Sequence, residues 1–402
     1  MSSPVVAEPL ETLRRRTSEK WRAYPDDVLP LFVAEMDYPL APPVKRAMLD
    51  LIERSDTGYV SDMAPLASAF AGFAERRYGW TVDPAMVRST TDVSVAIVEL
   101  LRGLTEPGDG VVIMPPVYTP FPWLVEEAGA RVVEVPLRRP DAAAAVDGVV
   151  PAAAWSIDLD GVEAALAAGA RGVLLCSPHN PLGLVHPRAV LERLAEIARA
   201  HGAFVVSDEI HAPLTHHGVE FTPFLAVSDA AREVGLATPS ASKAFNLAGV
   251  KCALMVAGSA RGAAVLDALP IEVTWRASLL GRAASTAGFA EGGEWLDGVR
   301  EAIAASRDRL VALIAEHLPG AVLHSPDASY LGWLDLRGAG FEDDPAERIL
   351  AEGRVALNRG LDFSTAGREG EGFVRVNLAC SAEVLEEAVR RIAGMSRPAS
   401  LP

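Results

Sequence analysis

A chain of 402 residues with a net charge of −16 offers no basic face for nucleic acid and is repelled by anionic membranes. Half of it is apolar and 22% is charged, the balance of a globular protein long enough for two domains with large cores. Cys176, Cys252 and Cys380 are too few for a disulfide framework, and their apolar settings read as buried, reduced thiols of a cytoplasmic protein.

The N-terminus gives no secretory signal. Pro4 to Leu10 is too short and too acidic for an apolar signal core, and Arg14-Arg15-Arg16 follows it instead of preceding it. No apolar stretch reaches the roughly 20 residues that a bilayer requires, so no membrane partner is expected. Residues 1–30 read as a polar arm, and Leu31 to Ala34 as a short apolar entry. Helices are expected over Val44 to Ser55, Leu66 to Tyr78 and Val93 to Leu104, the last closed by Glu106-Pro107-Gly108-Asp109. Val111 to Met114 is a continuous apolar run stopped by two prolines, the pattern of a buried parallel strand. Arg131 to Val135, Gly172 to Cys176, Ala203 to Ser207 and Cys252 to Ala257 are runs of the same kind, with the helix Pro187 to His201 among them. This alternation predicts an α/β sheet covered on both faces.

The character changes near Leu279. Helical stretches from Leu280 to Phe289 and Glu294 to His317 lead to a strand over Ser329 to Asp335. Next come a Gly-rich loop (Asn358 to Gly372), a strand (Phe373 to Leu378) and a last helix (Ala382 to Met395). The predicted organisation is an arm (1–30), a large domain with a mostly parallel sheet of seven-stranded type (31–280) and a smaller α+β domain (281–402). Part of the N-terminal segment joins the small domain. Ala142 to Ala145 and Pro151 to Ala154 read as surface insertions.

The chemistry centres on Lys243, in Ser240-Ala241-Ser242-Lys243. An acid, Asp208, ends an apolar run upstream, and an Asn180-Pro181 turn precedes that. Asn, then Asp, then Lys is what a pyridoxal phosphate enzyme needs. Lys243 forms the covalent link to the cofactor and Asp208 keeps the pyridine nitrogen protonated. Strand ends are also where open α/β sheets bind ligands. Asn180 can donate to the cofactor's phenolic oxygen, and Tyr118, just past a strand end, can stack on the ring. Ser240, Ser242 and Lys251 can reach the phosphate. The amides of Asp92 and Val93 complete that site at a helix N-terminus. Arg375, on a C-terminal strand, is a bidentate clamp for a substrate carboxylate.

Pro30-Leu31-Phe32-Val33-Ala34-Glu35-Met36-Asp37, Gly58-Tyr59, Pro116-Val117-Tyr118, Leu175 to Pro181, Ser207-Asp208-Glu209-Ile210-His211 and Ser240 to Gly249 together resemble the cystathionine β-lyase (C–S lyase) subgroup of the class I/II aminotransferases, the MalY/PatB-like proteins. The resemblance covers nearly the whole chain. It implies the fold-type-I architecture of pyridoxal-phosphate transferases and a homodimer with shared active sites. Tyr59 reaches the neighbouring subunit's phosphate, His211 stands at the cofactor, and Ala34, Asn180 and Arg375 stand at the amino-acid substrate. The implied reaction is α,β-elimination with Lys243, Tyr118 and Asp208 as the catalytic set. Oxygen-using decarboxylation–deamination and transamination remain open alternatives. A DNA-binding regulator is disfavoured, because residues 1–40 are too short for a helix-turn-helix domain.

Four segments depart from the subgroup's pattern: Leu182 in Asn180-Pro181-Leu182-Gly183, Val60-Ser61-Asp62-Met63, Trp275-Arg276, and the loop Leu361 to Gly372. The intact cofactor machinery beside changed entrance segments predicts a bulky cysteine S-conjugate of secondary metabolism in place of cystathionine.

Overall fold

The computed structural model describes residues 4–60, 62–140, 145–341, 344–365 and 368–395. In chain order the strands are β1 (Leu29–Pro30), β2 (Val87–Thr90), β3 (Gly110–Ile113), β4 (Arg131–Glu134), β5 (Val149–Pro151), β6 (Ala170–Cys176), β7 (Phe204–Asp208), β8 (Gly235–Thr238), β9 (Ala253–Ala257), β10 (Val322–Ser325), β11 (Leu331–Asp335), β12 (Val355–Ala356), β13 (Asn358–Arg359) and β14 (Phe373–Asn377). The helices used below are α1 (Pro42–Glu53), α2 (Ala64–Tyr78), α3 (Val93–Leu104), α4 (Arg188–Ala200), α5 (Leu279–Glu291), α6 (Gly293–His317) and α7 (Ala382–Ala393). Among the described residues no helix is long and apolar enough to cross a membrane.

Seven strands form the larger sheet in the order β2-β9-β8-β7-β6-β3-β4. Alternate residues of one strand enter different cores. Val173 and Leu175 join one apolar cluster while Leu174 and Cys176 join another, and Val205 and Val206 part in the same way. Both faces are therefore covered, which is why these strands read as unbroken apolar runs. The run at Cys252 to Ala257 is the exception to the parallel expectation, because β9 lies antiparallel to both β8 and β2. A strand buried on both faces has the same composition in either direction. Here direction follows from the connection, a loop over residues 239–252 that turns the chain straight back without a crossover helix. That loop carries Lys243 and lies at the carboxyl end of β8, beside the carboxyl ends of β7 and β6.

The smaller sheet runs β13-β14-β11-β10-β5. Its last member corrects the reading of Pro151 to Ala154 as a surface insertion. Val149–Pro151 pairs in parallel with Leu323–Ser325, Ala152 is fully buried, and Trp155 Nε1 donates to His324 Nδ1 at 2.8 Å. So short an edge strand shows no period, and its pairing left no mark on the sequence. Of the other segment so read, Ala142 to Ala144 lie outside the described residues. Helix α6 joins the two cores: Leu296, Val299 and Ile303 pack into the larger one, and Leu310, Leu313 and Ile314 into the smaller one.

Between β1 and α1, residues 32–37 form a strap held by side chains. Arg375 donates to the Phe32 carbonyl at 3.1 Å, and Asn377 donates to those of Val33 and Glu35 at 2.7 Å each. Lys243 and Tyr330 meet on Ala34 at 3.0 and 2.8 Å. Asn246 and Arg16 each hold Met36 at 2.9 Å, and the Glu8 amide holds Asp37 at 2.8 Å. The N-terminal arm is pinned to this strap by a buried ion pair, Lys20 Nζ to Asp37 Oδ1 at 2.8 Å, with side chains 0% and 1% exposed. Removing one member leaves the other charge buried without a partner. Lys20→Met is expected to destabilise the protein by about 3–5 kcal/mol in chemical denaturation, with Lys20→Met/Asp37→Leu recovering most of the loss.

Candidate active site

The carboxyl edge of the larger sheet, the strap and β14 enclose a cavity of about 320 Å³. Eleven of the residues picked from sequence line it: Ala34, Asp92, Val93, Tyr118, Asn180, Asp208, His211, Ser242, Lys243, Lys251 and Arg375. Two do not. Ser240 is not among the lining residues, and its hydroxyl lies 3.0 Å from both the Cys252 carbonyl and Ser242 Oγ, where it supports Ser242. Tyr59 is 92% exposed on the surface beside Trp275 (ring centroids 6.2 Å apart), away from this chain's own cavity.

Two of the departing segments also lie elsewhere. Leu182 is fully buried in the main core and is not a lining residue, so this departure does not change the cavity wall. Trp275 stands 62% exposed with Tyr59. Ser61 and residues 366–367 lie outside the described residues.

At one end of the cavity, helix α3 presents its first amides. Asp92 caps it by accepting from the Val95 amide at 3.0 Å, and its other carboxylate oxygen pairs with Lys251 Nζ at 3.0 Å. Thr91 Oγ1, beside this cap, is buried without a partner. Ser242 lines the cavity as well. Asp208 sits at the tip of β7 with Oδ1 accepting from the Ile210 amide at 3.1 Å. Burial pushes its carboxyl up to about 7. Behind it, Glu209 accepts from the Phe224 amide at 2.8 Å and Ser207 Oγ at 3.1 Å, and burial raises it to about 8. Lys243 donates to the Ala34 carbonyl, and burial together with the nearby Arg375 cation lowers its amine to about 8. His211, 3.0 Å from Ser329 Oγ, is held neutral by burial, its value lowered to about 3.

Arg375 lies at the other end. It is 6% exposed and donates to Asn180 Oδ1 (3.0 Å), Asn358 Oδ1 (2.5 Å) and the Phe32 carbonyl. Its Nε has no partner, and burial lowers the guanidinium to about 10. Arg375 therefore faces the cavity, which it lines.

Sequence reasoning passes over Asn358, Tyr330 and His179. Asn358 falls in the stretch read as a Gly-rich loop, whereas the structure places it in β13, opposite Arg375. His179 Nε2 lies 2.8 Å from the Pro116 carbonyl and so couples the turn bearing Asn180 to the one bearing Tyr118. Its place in Pro178-His179-Asn180 is the available signal.

This donor set suits pyridoxal phosphate from end to end. A cation, a hydroxyl and helix amides can take a phosphate dianion, a carboxylate can take the pyridinium, and an amine can take the aldehyde. The model of the family "Aminotransferase class I and II" matches residues 26–392. The cystathionine β-lyase of Corynebacterium glutamicum is 36% identical over 389 residues, covering 96% of this chain and 98% of that protein. Cystathionine β-lyase PatB of Bacillus subtilis is 33% identical over 369 residues, covering 91% and 92%. Among solved structures, a Corynebacterium diphtheriae protein provisionally named a PLP-dependent β-cystathionase superposes with a TM-score of 0.89 at 34% identity, covering 97% of this chain and 98% of its own. OvoB superposes with a TM-score of 0.86 at 30% identity, covering 99% and 100%.

The chain belongs to the class I and II aminotransferase family and has its fold. It is a pyridoxal-phosphate enzyme of the carbon–sulfur (cystathionine β-) lyase group.

The charges of the site lead to two expectations. Lys251→Ala removes the cation beside the N-terminus of α3. It is expected to weaken pyridoxal phosphate binding about 10- to 100-fold when cofactor-stripped protein is titrated and the visible absorbance is read. The second concerns pH. Asp208 and Glu209 keep their protons in the folded chain up to about 7 and 8, whereas unfolding restores values of 3.8 and 4.5. The folded state thus holds more protons in that window, and stability falls as pH rises through it. His179, His186, His211, His216 and His324, lowered from 6.5, and Lys243, lowered to about 8, give the opposite slope, so the contribution of the acids is read against a variant that lacks one of them. Measured relative to Glu209→Gln, the thermal midpoint of cofactor-stripped protein should therefore fall as pH rises from 4.5 to about 8, because the contribution of the protonated Glu209 is lost as pH passes through its folded value.

Proposed function

We propose that the enzyme acts in the cytoplasm on cysteine S-conjugates, cleaving the Cβ–S bond by β-elimination to yield a thiol, pyruvate and ammonia. The observation that carries this reading is the state of Arg375. A buried guanidinium bonded to neutral oxygens alone, with its Nε unpartnered, is costly until an anion arrives. The α-carboxylate of an amino acid is that anion, and a planar guanidinium binds it bidentately.

When bound, pyridoxal phosphate supplies a ring that takes up the electron pair left at the substrate's Cα. Asp208 would hold the ring nitrogen, Tyr118 would cover a ring face, and Asn180 with His211 would stand at the phenolic oxygen. Ser242, Lys251 and the amides of Asp92 and Val93 would hold the phosphate, and in a homodimer the partner subunit's Tyr59 would complete that site. Lys243 removes the Cα proton. Its lowered pKa leaves part of the amine unprotonated near neutral pH, as a general base requires. Arg375 and the Ala34 strap fix the substrate so that the Cα–H bond faces Lys243, and the sulfur leaves Cβ as a thiolate.

The lining supports a bulky, uncharged S-substituent. Its cations are Lys243, Lys251 and Arg375, and Lys251 is paired with Asp92. With the α-carboxylate on Arg375, this chain offers no further cation among the described lining residues to the distal carboxylate of cystathionine. The exposed Trp275 beside Tyr59 supplies apolar surface at the subunit boundary.

The test is product analysis by mass spectrometry with S-alkyl and bulky S-conjugated cysteines, with and without oxygen. Free thiol with pyruvate, independent of oxygen, is expected. Oxygen-dependent carbon dioxide with a retained carbon–sulfur bond, or a keto acid with an aminated acceptor, overturns the elimination. Cystathionine turned over as efficiently as the bulky conjugates overturns the substrate assignment. Lys243→Ala is expected to lose the visible cofactor band and at least about 10³-fold in turnover.

A further inference from the structure

The Ala34 carbonyl receives two donors at once, Lys243 Nζ at 3.0 Å and Tyr330 Oη at 2.8 Å. Ala34 lies outside any strand, so no β ladder fixes the direction of its carbonyl. Tyr330 can fix it. The residue is fully buried, and it immediately precedes β11, a central strand of the smaller sheet. Its ring packs edge-on to His211 at 6.4 Å between centroids, and His211 is tied to Ser329. The hydroxyl thus projects from a rigid mount in one sheet toward a lysine carried by the other.

Resting on the assignment of Lys243 as the reacting amine, we propose that the Ala34 carbonyl is the holding site for that amine whenever its nitrogen is not linked to the cofactor, and that Tyr330 is the positioning residue that aims this carbonyl. An unlinked lysine on a flexible stem otherwise spreads over many rotamers. A neutral acceptor restrains it without the charge that a carboxylate would add, so the amine keeps a lowered proton affinity and stays near the cofactor edge of the cavity. Tyr330 touches neither cofactor nor substrate in this role and acts through Ala34.

The experiment tracks the resting visible band of the holoenzyme after a single turnover, when Lys243 must regain its link. Tyr330→Phe keeps the ring and removes the hydroxyl. The expected result is resting absorbance, cofactor affinity and thermal midpoint within about twofold or a few degrees of wild type, with return of the band slowed about five- to tenfold, as loss of one hydrogen bond implies. Ala34→Gly keeps the carbonyl but frees its backbone, and should slow the return in the same way. In a Lys243→Ala background, where a small external amine is supplied to exchange with the bound cofactor, Tyr330→Phe should change nothing further.

Unchanged return rates in both Tyr330→Phe and Ala34→Gly overturn the proposal. So does a Tyr330→Phe effect that persists in the Lys243→Ala background, or one that shifts the resting band and thermal midpoint together with the rate. Retention of the visible band by Lys243→Ala itself would instead overturn the assignment of the lysine, a distinct outcome.

Discussion

The strap at residues 32–37 is the constraint on which the active site depends. Its carbonyls cannot be satisfied by a ladder, because β1 ends at Pro30 and α1 begins at Pro42. Buried backbone oxygens must be paired, and here side chains from the arm, the lysine loop, β11 and β14 do it. Arg375 and Lys243 are among those donors. The groups that give the cavity its charge are therefore also groups that hold its wall, and the position of the strap and the geometry of the site are coupled. The buried Lys20–Asp37 pair extends the coupling to the N-terminal arm.

Burial is the first cause behind the shifts of Asp208, His211, Lys243 and Arg375, and it works in opposite directions on acids and bases. It raises Asp208 and lowers Lys243 toward one another, so that the two values nearly meet. Arg375 adds to the effect on Lys243 through like-charge repulsion. A cavity built this way favours ligands that bring compensating charge at each station: an anion at Arg375, a cation at Asp208, and an anion at the Lys251 end. Pyridoxal phosphate with an amino acid has that sequence of charges, and the chain's family membership agrees with it.

Much of this is legible in the chain. Helix α3 can be read to the residue, because Asp92 caps it and Glu106-Pro107-Gly108 cannot prolong it. Helices α4 and α7 and strands β3, β4, β6, β7 and β14 lie within a few residues of the ends their apolar runs and periods predict. Lys243, Asp208 and Asn180 are legible because reactive residue types stand at strand ends and turns, where a sheet exposes them, and Arg375 because a charge interrupts the apolar run of β14. The short strands β2, β5 and β8 are not, being too brief to display a period.

By itself the sequence determined the α/β character and the apolar strands and pointed to the candidate reacting groups, because those depend on composition and local order. The tertiary structure alone decided which groups meet. The reversal of β9, the pairing of β5 with β10, the retreat of Ser240 behind Ser242 and the burial of Leu182 away from the cavity are all such decisions. So are the contacts of Tyr330 and Lys243 with Ala34, which join residues 296 and 209 positions apart. Such contacts leave no local signal, because hydrogen bonds and burial act through space while patterns in a sequence report only on neighbours along the chain.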